Sequence, residues 1–112
     1  LAGPDCAKNH SAIRMPIDSL YEYASYFLNT LGGQSYLFRR PPRVRTLVKY
    51  YSVLVLDRAN DQGLNQYGID IRPHIESLIE DVEAIQNLTF QERYLTVLQN
   101  LKIKYQGQYG GP

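Results

Sequence analysis

Residues 42–59 read PRVRTLVKYYSVLVLDRA, and this stretch decides the fold class. Its apolar residues recur at three- and four-residue spacing at Val44, Leu47, Val48, Tyr51, Leu54 and Val55. Tyr50, Val53 and Leu56 widen this apolar face almost to the whole circumference of a helix. Such a segment is either the most buried helix of a domain or a buried strand. We favour a helix, because the helical period extends back to Val44 and the sequence has no second strand-like run to pair with it.

An apolar segment upstream predicts another helix at about 17–31. Its apolar residues share one helical stripe, which consists of Ile17, Leu20, Tyr21, Ala24, Phe27, Leu28 and Leu31. Ser19 and Glu22 match the capping-box pattern of a helix start. Gly32 and Gly33 follow the stripe and are typical of a left-handed helix stop. We therefore expect this helix to end at residue 31 and a linker to follow it.

Two further amphipathic helices are predicted downstream, at about 71–86 and 90–105. The stripe of the first contains Ile71, Ile75, Leu78, Ile79, Val82 and Ile85. The stripe of the second contains Phe90, Tyr94, Leu98, Leu101 and Tyr105. Asp70 can cap the first of these helices, with Pro73 tolerated inside its first turn, and Thr89 begins a capping-box match for the second.

Helices at these four places, joined by short connections, predict an all-α fold with an up-down-up-down four-helix bundle. The length of 112 residues fits a single domain. The chain then divides into an extended N-terminal arm at 1–16, the bundle at 17–105 and a Gly-rich flexible tail at 106–112.

Composition excludes several classes of function. The formal net charge is +1, so any attraction to nucleic acid or to an anionic membrane must be local. No apolar run approaches the roughly 20 residues that span a bilayer, so we expect a soluble domain that is peripheral to a membrane at most. The two histidines, His10 and His74, lie far apart in the sequence, and no set of His, Cys or carboxylate residues has ligand spacing. We therefore predict no metal and no cofactor.

The sequence also shows no set of residues typical of an active site. The nearest approach to an acid–base group is His74 with Asp70 and Glu76. On its predicted helix His74 falls beside the apolar stripe, a position that histidines commonly take without a catalytic role. Neither a nucleophile nor an oxyanion donor accompanies it, so we predict no catalytic activity.

The N-terminal region gives two further indications. The chain begins with Leu1 rather than methionine, so we interpret it as processed, trimmed or part of a longer product, which leaves export or targeting to an organelle open. Cys6 is the only cysteine, so no internal disulfide can form. We expect a free thiol, with an intermolecular bridge as the alternative.

The most distinctive local feature is a basic segment, which contains Arg39, Arg40, Arg43, Arg45 and Lys49. Its arginines lie at the start of a predicted helix, where the helix dipole disfavours cations. They can grip carboxylates or phosphates of a partner, with the ring of Tyr36 nearby for stacking. The alternative is an internal pairing with the acidic residues of the next helix, which are Asp70, Glu76, Glu80, Asp81 and Glu83.

Tyrosines form the second candidate feature, since the chain has ten of them and no tryptophan. Tyr23 and Tyr26 fall off the centre of the first apolar stripe, which favours exposure of their rings. Exposed tyrosine beside arginine is the composition that protein interfaces enrich. The alternative is boundary packing with the hydroxyl in water.

These features favour a non-catalytic helical accessory subunit or interaction module that docks onto a larger protein complex. Its contacts would come from the basic segment, the exposed tyrosines and the two chain ends. The predicted architecture is similar to that of helical extrinsic subunits of energy-converting membrane complexes, such as the Q-type four-helix subunits of photosystem II. This resemblance is one of architecture alone and assigns no residues.

Two other functions remain open from the sequence. One is a small-molecule or lipid carrier, which would need an internal cavity lined by Tyr50, Val53, Leu54 and Leu98. The other is a nucleic-acid-binding domain, which would need basic residues on more than one element.

Overall fold

The computed structural model of the protein describes the backbone of residues 16–109 and the side chains of residues 16–106. The described chain is helical, without a strand, which confirms the all-α class and the helical interpretation of residues 42–59. Its five helices are α1 (Ile17–Asn29), α2 (Leu31–Phe38), α3 (Pro42–Asp61), α4 (Arg72–Ala84) and α5 (Gln91–Tyr109). The predictions made for Cys6 and for most of the arm lie outside the described residues.

Helix α2 occupies the place where we predicted a linker, and the predicted glycine stop is wrong. Gly32 and Gly33 lie in the first turn of α2, and neither has a positive φ. The break is made by Thr30, whose extended ψ of 151° ends α1. Its hydroxyl donates to the carbonyl of Tyr26 at 2.6 Å and accepts from the backbone N–H of Gly33 at 3.0 Å. Thr30 therefore acts as the N-cap of α2 and makes an elbow between the two helices.

The predicted helix starts are only partly correct. Pro73 lies in the first turn of α4, as predicted from its tolerance there, and Pro42 likewise begins α3. The capping box at Ser19 is wrong, because α1 already begins at Ile17 and no side chain caps it. The box at Thr89 is wrong because the residue before α5 is Phe90, with a φ of 63°.

The last helix is longer than the sequence pattern indicated. It runs to Tyr109, beyond the predicted end at residue 105 and into the segment that we interpreted as a tail.

At the start of α5, the side chain of Gln91 donates to the carbonyls of Val82 at 2.8 Å and Ile85 at 3.2 Å. These bonds add a side-chain donor to two carbonyls at the end of α4, where backbone donors become few. They fix the turn between α4 and α5.

Each long helix packs on the next along the chain: α1 on α3, α3 on α4 and α4 on α5, with α2 folded back on α1. The core face of α3 consists of Thr46, Tyr50, Val53, Leu56 and Ala59. This face differs from the stripe that we predicted first, since Val44 and Tyr51 are exposed. Leu31 is also exposed (84%), because the chain has already turned at Thr30 before it.

A polar network joins the C-terminal halves of α3 and α5. The Nζ of Lys104 lies 2.7 Å from Asp57 Oδ1 and 2.8 Å from Asp61 Oδ1. The buried hydroxyl of Tyr105 donates to Asp57 at 2.7 Å and accepts from Asn60 at 3.2 Å. Burial is the main cause that raises the pKa of Tyr105 above the ordinary tyrosine value, and the bond to Asp57 raises it further against the opposing bond from Asn60.

This raised pKa predicts a loss of stability in alkali. The folded state holds the Tyr105 proton more tightly than the unfolded chain, so the stabilisation is complete below pH 10 and is lost as the pH rises above it. Tyr105→Phe is expected to make the decline in unfolding free energy shallower by up to about 1.4 kcal/mol per pH unit. Urea unfolding at a series of pH values measures both slopes. Equal slopes above pH 10 in the two proteins would contradict the assignment.

Candidate functional site

The basic segment lies where α2 passes into α3. Arg39 and Arg40 follow the end of α2, and the other three cations lie on the first turns of α3. Among the described residues no carboxylate forms an ion pair with Arg39, Arg40, Arg43 or Arg45. Within the described residues, Lys49 is the one member of the basic segment that pairs with an acid of α4. Its Nζ lies 3.7 Å from Asp81 Oδ2. The internal pairing that the sequence left open therefore accounts for one of the five cations.

Two of the arginines contact aromatic rings of α2 instead. The guanidinium of Arg40 lies 4.6 Å from the ring centroid of Tyr36, which is the distance of a cation–π contact. Arg45 lies 5.9 Å from the ring of Phe38, and its Nη1 donates to the carbonyl of Phe38 at 3.3 Å and of Arg40 at 3.4 Å. These contacts orient the guanidinium groups without neutralising their charge.

The three predicted tyrosines lie on one surface. Tyr23, Tyr26 and Tyr36 are 57%, 45% and 44% exposed, and they line a shallow depression of about 470 Å³ together with Phe27 and Glu22. The ring of Phe27 lies 5.4 Å from that of Tyr26 and 5.9 Å from that of Tyr36. We call the four aromatic residues, Tyr23, Tyr26, Phe27 and Tyr36, the aromatic surface. The elbow at Thr30 creates it, because the elbow folds α2 back onto α1.

An apolar groove continues this surface between α1 and α3. It has a volume of about 390 Å³ and shares Tyr23 and Phe27 with the aromatic surface. On α3 it is lined by Val44, Leu47, Val48, Tyr51, Ser52 and Val55. Sequence analysis assigned most of these residues to the core. The sequence could have indicated this groove through the width of the apolar face of α3. That face is wider than the stripe that a surface helix usually buries against its neighbours.

The remaining predicted site residues point to other places. Arg43 donates to the carbonyl of Gln86 at 3.4 Å, near the end of α4. Arg45 and Lys49 line a separate cleft that also contains His74. The structure thus brings Arg40 onto Tyr36, one of the three tyrosines, and it places Arg43, Arg45 and Lys49 on other parts of the surface.

Among residues 16–106, no group of three or more His, Cys, Asp or Glu side chains could hold a metal ion. Within the described part of the chain, no helix combines the length and the apolar character needed to cross a bilayer. Of the residues proposed to line a carrier cavity, Val53 and Leu98 are fully buried, and the ring of Tyr50 lies 4.6 Å from that of Tyr94. Leu54 is partly buried and lines a different, open cleft.

Comparisons with protein-family models, with curated proteins and with solved structures found no match to this chain. What the fold and the surface define is therefore an all-α protein with an exposed aromatic surface, an adjoining apolar groove and arginines that lack carboxylate partners among the described residues.

Proposed function

We propose that the chain is a non-catalytic helical accessory subunit, or interaction module, that docks onto a larger protein complex. The observation that carries this proposal is the continuity of the aromatic surface with the α1–α3 groove, with Arg40 stacked on Tyr36 at its edge. Tyrosine and arginine are the side chains that most often supply the binding energy of protein interfaces. Within this proposal, the four long helices form an up-down-up-down bundle that serves as the rigid body.

The exposure of this region supports a partner rather than solvent. Its exposed rings, those of Tyr23, Tyr26 and Tyr36, lie next to one another and are continuous with the apolar groove. Exposed apolar side chains that form one contiguous patch indicate an interaction site, whereas single scattered ones do not. Tyrosine rings lose little conformational entropy when they are covered, because they have few rotatable bonds. Arg40, stacked on Tyr36, adds positive charge, which favours a partner that presents carboxylates beside apolar side chains.

The proposal is tested by photo-crosslinking and a matched pair of charge reversals. A photoreactive amino acid at position 23 or 36 of the full chain, in its native source, should capture a partner that the same group at exposed position 103 does not. With that partner purified, Arg40→Glu should weaken binding about 30-fold, equivalent to about 2 kcal/mol.

Arg93→Glu is the control for this experiment. Arg93 also stacks on an exposed aromatic ring, at 5.2 Å from the centroid of Phe90, but it lies on α5, away from the aromatic surface. This variant should bind as the unmodified chain does. Crosslinks from position 103 alone, or equal losses in the two variants, would refute the proposed surface.

A further inference from the structure

A second concave site lies at the meeting of α1, α2, α3 and α4. This cleft has a volume of about 470 Å³, within the range of small-molecule sites. One part of its lining is apolar and contains Phe27, Leu28, Leu37 and Phe38. Leu28 and Leu37 are buried, so the apolar part rests on packed side chains. Such a floor offers an apolar chain or ring a firmly packed apolar surface from which binding would displace water.

The polar part of the cleft carries a net positive charge. Arg45 and Lys49 are one turn apart on the same face of α3, an arrangement that is unfavourable for two like charges. Asp81 is the only acid among the described residues of the lining, and its distance of 3.7 Å from Lys49 exceeds that of a good hydrogen bond. Arg45 has no carboxylate partner among the described residues. An anion placed between the two cations would remove their repulsion.

The guanidinium of Arg45 is also positioned before any ligand arrives. Its two hydrogen bonds, to the carbonyls of Phe38 and Arg40, both use Nη1. Within residues 16–106, the Nε and Nη2 donors therefore remain available to an oxyanion. Because the group is already oriented, binding would cost less side-chain entropy than it would for a freely rotating arginine.

We propose that this cleft binds a small organic anion, with its carboxylate or phosphate group between Arg45 and Lys49 and its apolar chain or ring against Phe27 and Leu37. This site shares Phe27 with the aromatic surface, its other lining residues are different, and it needs no protein partner. An anion with an apolar body fits both parts of the lining, whereas an uncharged apolar molecule would leave the two cations uncompensated.

His74 provides an internal reporter for such binding, since it lines the same cleft. Burial chiefly lowers its pKa, and the charge of Lys49 lowers it further, while Asp70 opposes both. Arg45 and Asp81 are the other charged groups of the lining. A bound anion would favour the protonated imidazole, so the pKa of His74 should rise when the cleft is occupied.

The test uses octanoate and octyl phosphate as probes, with octanol as the uncharged match, on the full ¹⁵N-labelled chain. At least one of the two anions should shift the amide signals of Gln34 and Ser77, which line the cleft, and raise the pKa of His74. Comparing the two anions tells carboxylate from phosphate. Octanol should bind at least tenfold more weakly than the better anion.

Variants locate the site and keep the proposal falsifiable. Lys49→Gln and Arg45→Gln should each weaken binding of the better anion at least tenfold, whereas Arg39→Gln, at an exposed residue outside the cleft, should leave it unchanged. The proposal is overturned if neither anion shifts the cleft signals at millimolar concentration, if octanol binds equally well, or if Arg39→Gln costs as much as Lys49→Gln.

Discussion

Replacing Gly33 with alanine is expected to lower the free energy of unfolding by about 3 kcal/mol, the upper end of the usual cost of overpacking. A Cβ at this position would overlap the backbone carbonyl of Tyr26 and crowd the backbone of Phe27. These are backbone atoms of α1, so no side chain can rotate away to relieve the overlap. The elbow at Thr30 would have to open, and the bond between the Thr30 hydroxyl and the N–H of residue 33 would lengthen.

Gly32→Ala is the matched control one residue earlier. A Cβ there would meet only the ring of Tyr26, at 3.6 and 3.7 Å, which is ordinary van der Waals contact. Because alanine favours a helix over glycine, this variant should be more stable than the parent by up to about 1 kcal/mol. Thermal and urea unfolding measure both changes, and a shared sign for the two substitutions would refute this account of the elbow.

The Gly33 substitution should also change the arrangement of the rings on the aromatic surface. Tyr36 lies on α2, and its ring is held against Phe27 of α1 only while the elbow is closed. The ring signals of Tyr26 and Tyr36 should therefore move in the NMR spectrum of Gly33→Ala, while those of Tyr94, in the core between α3 and α5, should move little.

The positions of the four long helices could be predicted because each buries an apolar stripe that recurs with the helical period. Helix α2 could not. Its sequence, LGGQSYLF, is too short to show a period, and its two glycines disfavour a helix on intrinsic preference. It is helical because Thr30 caps it, which is a local effect, and because Gly33 allows it to lie close against α1, which is a tertiary effect.

The candidate site was predictable as residue types but not as an arrangement. Arginine beside tyrosine indicated a surface, yet only the elbow brings Tyr36 next to Tyr26. Arg45 and Lys49 were grouped with Arg40 by proximity in sequence, whereas the rotation of α3 directs them into a different cleft. Val44 and Tyr51 were assigned to the core because an apolar residue in a helical stripe is buried by default, and their exposure depends on which neighbours the fold supplies.

Substitution of Asn65 should be among the most destabilising changes available in the chain. Its Oδ1 accepts from the hydroxyl of Tyr21 at 2.6 Å and from the N–H of Ile69 at 3.0 Å. Its Nδ2 donates to Asn60 Oδ1 at 2.7 Å and to the carbonyl of Ile69 at 2.9 Å. The amide therefore uses both of its donors and accepts two bonds, and it connects α1, the end of α3 and the loop that precedes α4.

Asn65→Ala is expected to cost about 3 kcal/mol or more, since each buried group left without a partner costs roughly 1–3 kcal/mol. The largest part should come from the hydroxyl of Tyr21, a residue that is almost fully buried and that also accepts from the N–H of Tyr67. Gln66→Ala is the control on the same loop. Its side chain bonds to Glu22 at the surface, so its loss should cost less than about 0.5 kcal/mol.

The isosteric change Asn65→Asp separates the hydrogen bonds from the volume of the side chain. An aspartate fills the same space and can still accept from Tyr21, but its second oxygen would face the oxygen of Asn60 and the carbonyl of Ile69. Because two acceptors repel at that distance, this variant should be destabilised nearly as much as Asn65→Ala. Urea unfolding and amide exchange at Ile69 measure the effect. If Asn65→Asp were as stable as the parent chain, the two bonds that Asn65 donates, to Asn60 and Ile69, would not be what holds this loop to the end of α3.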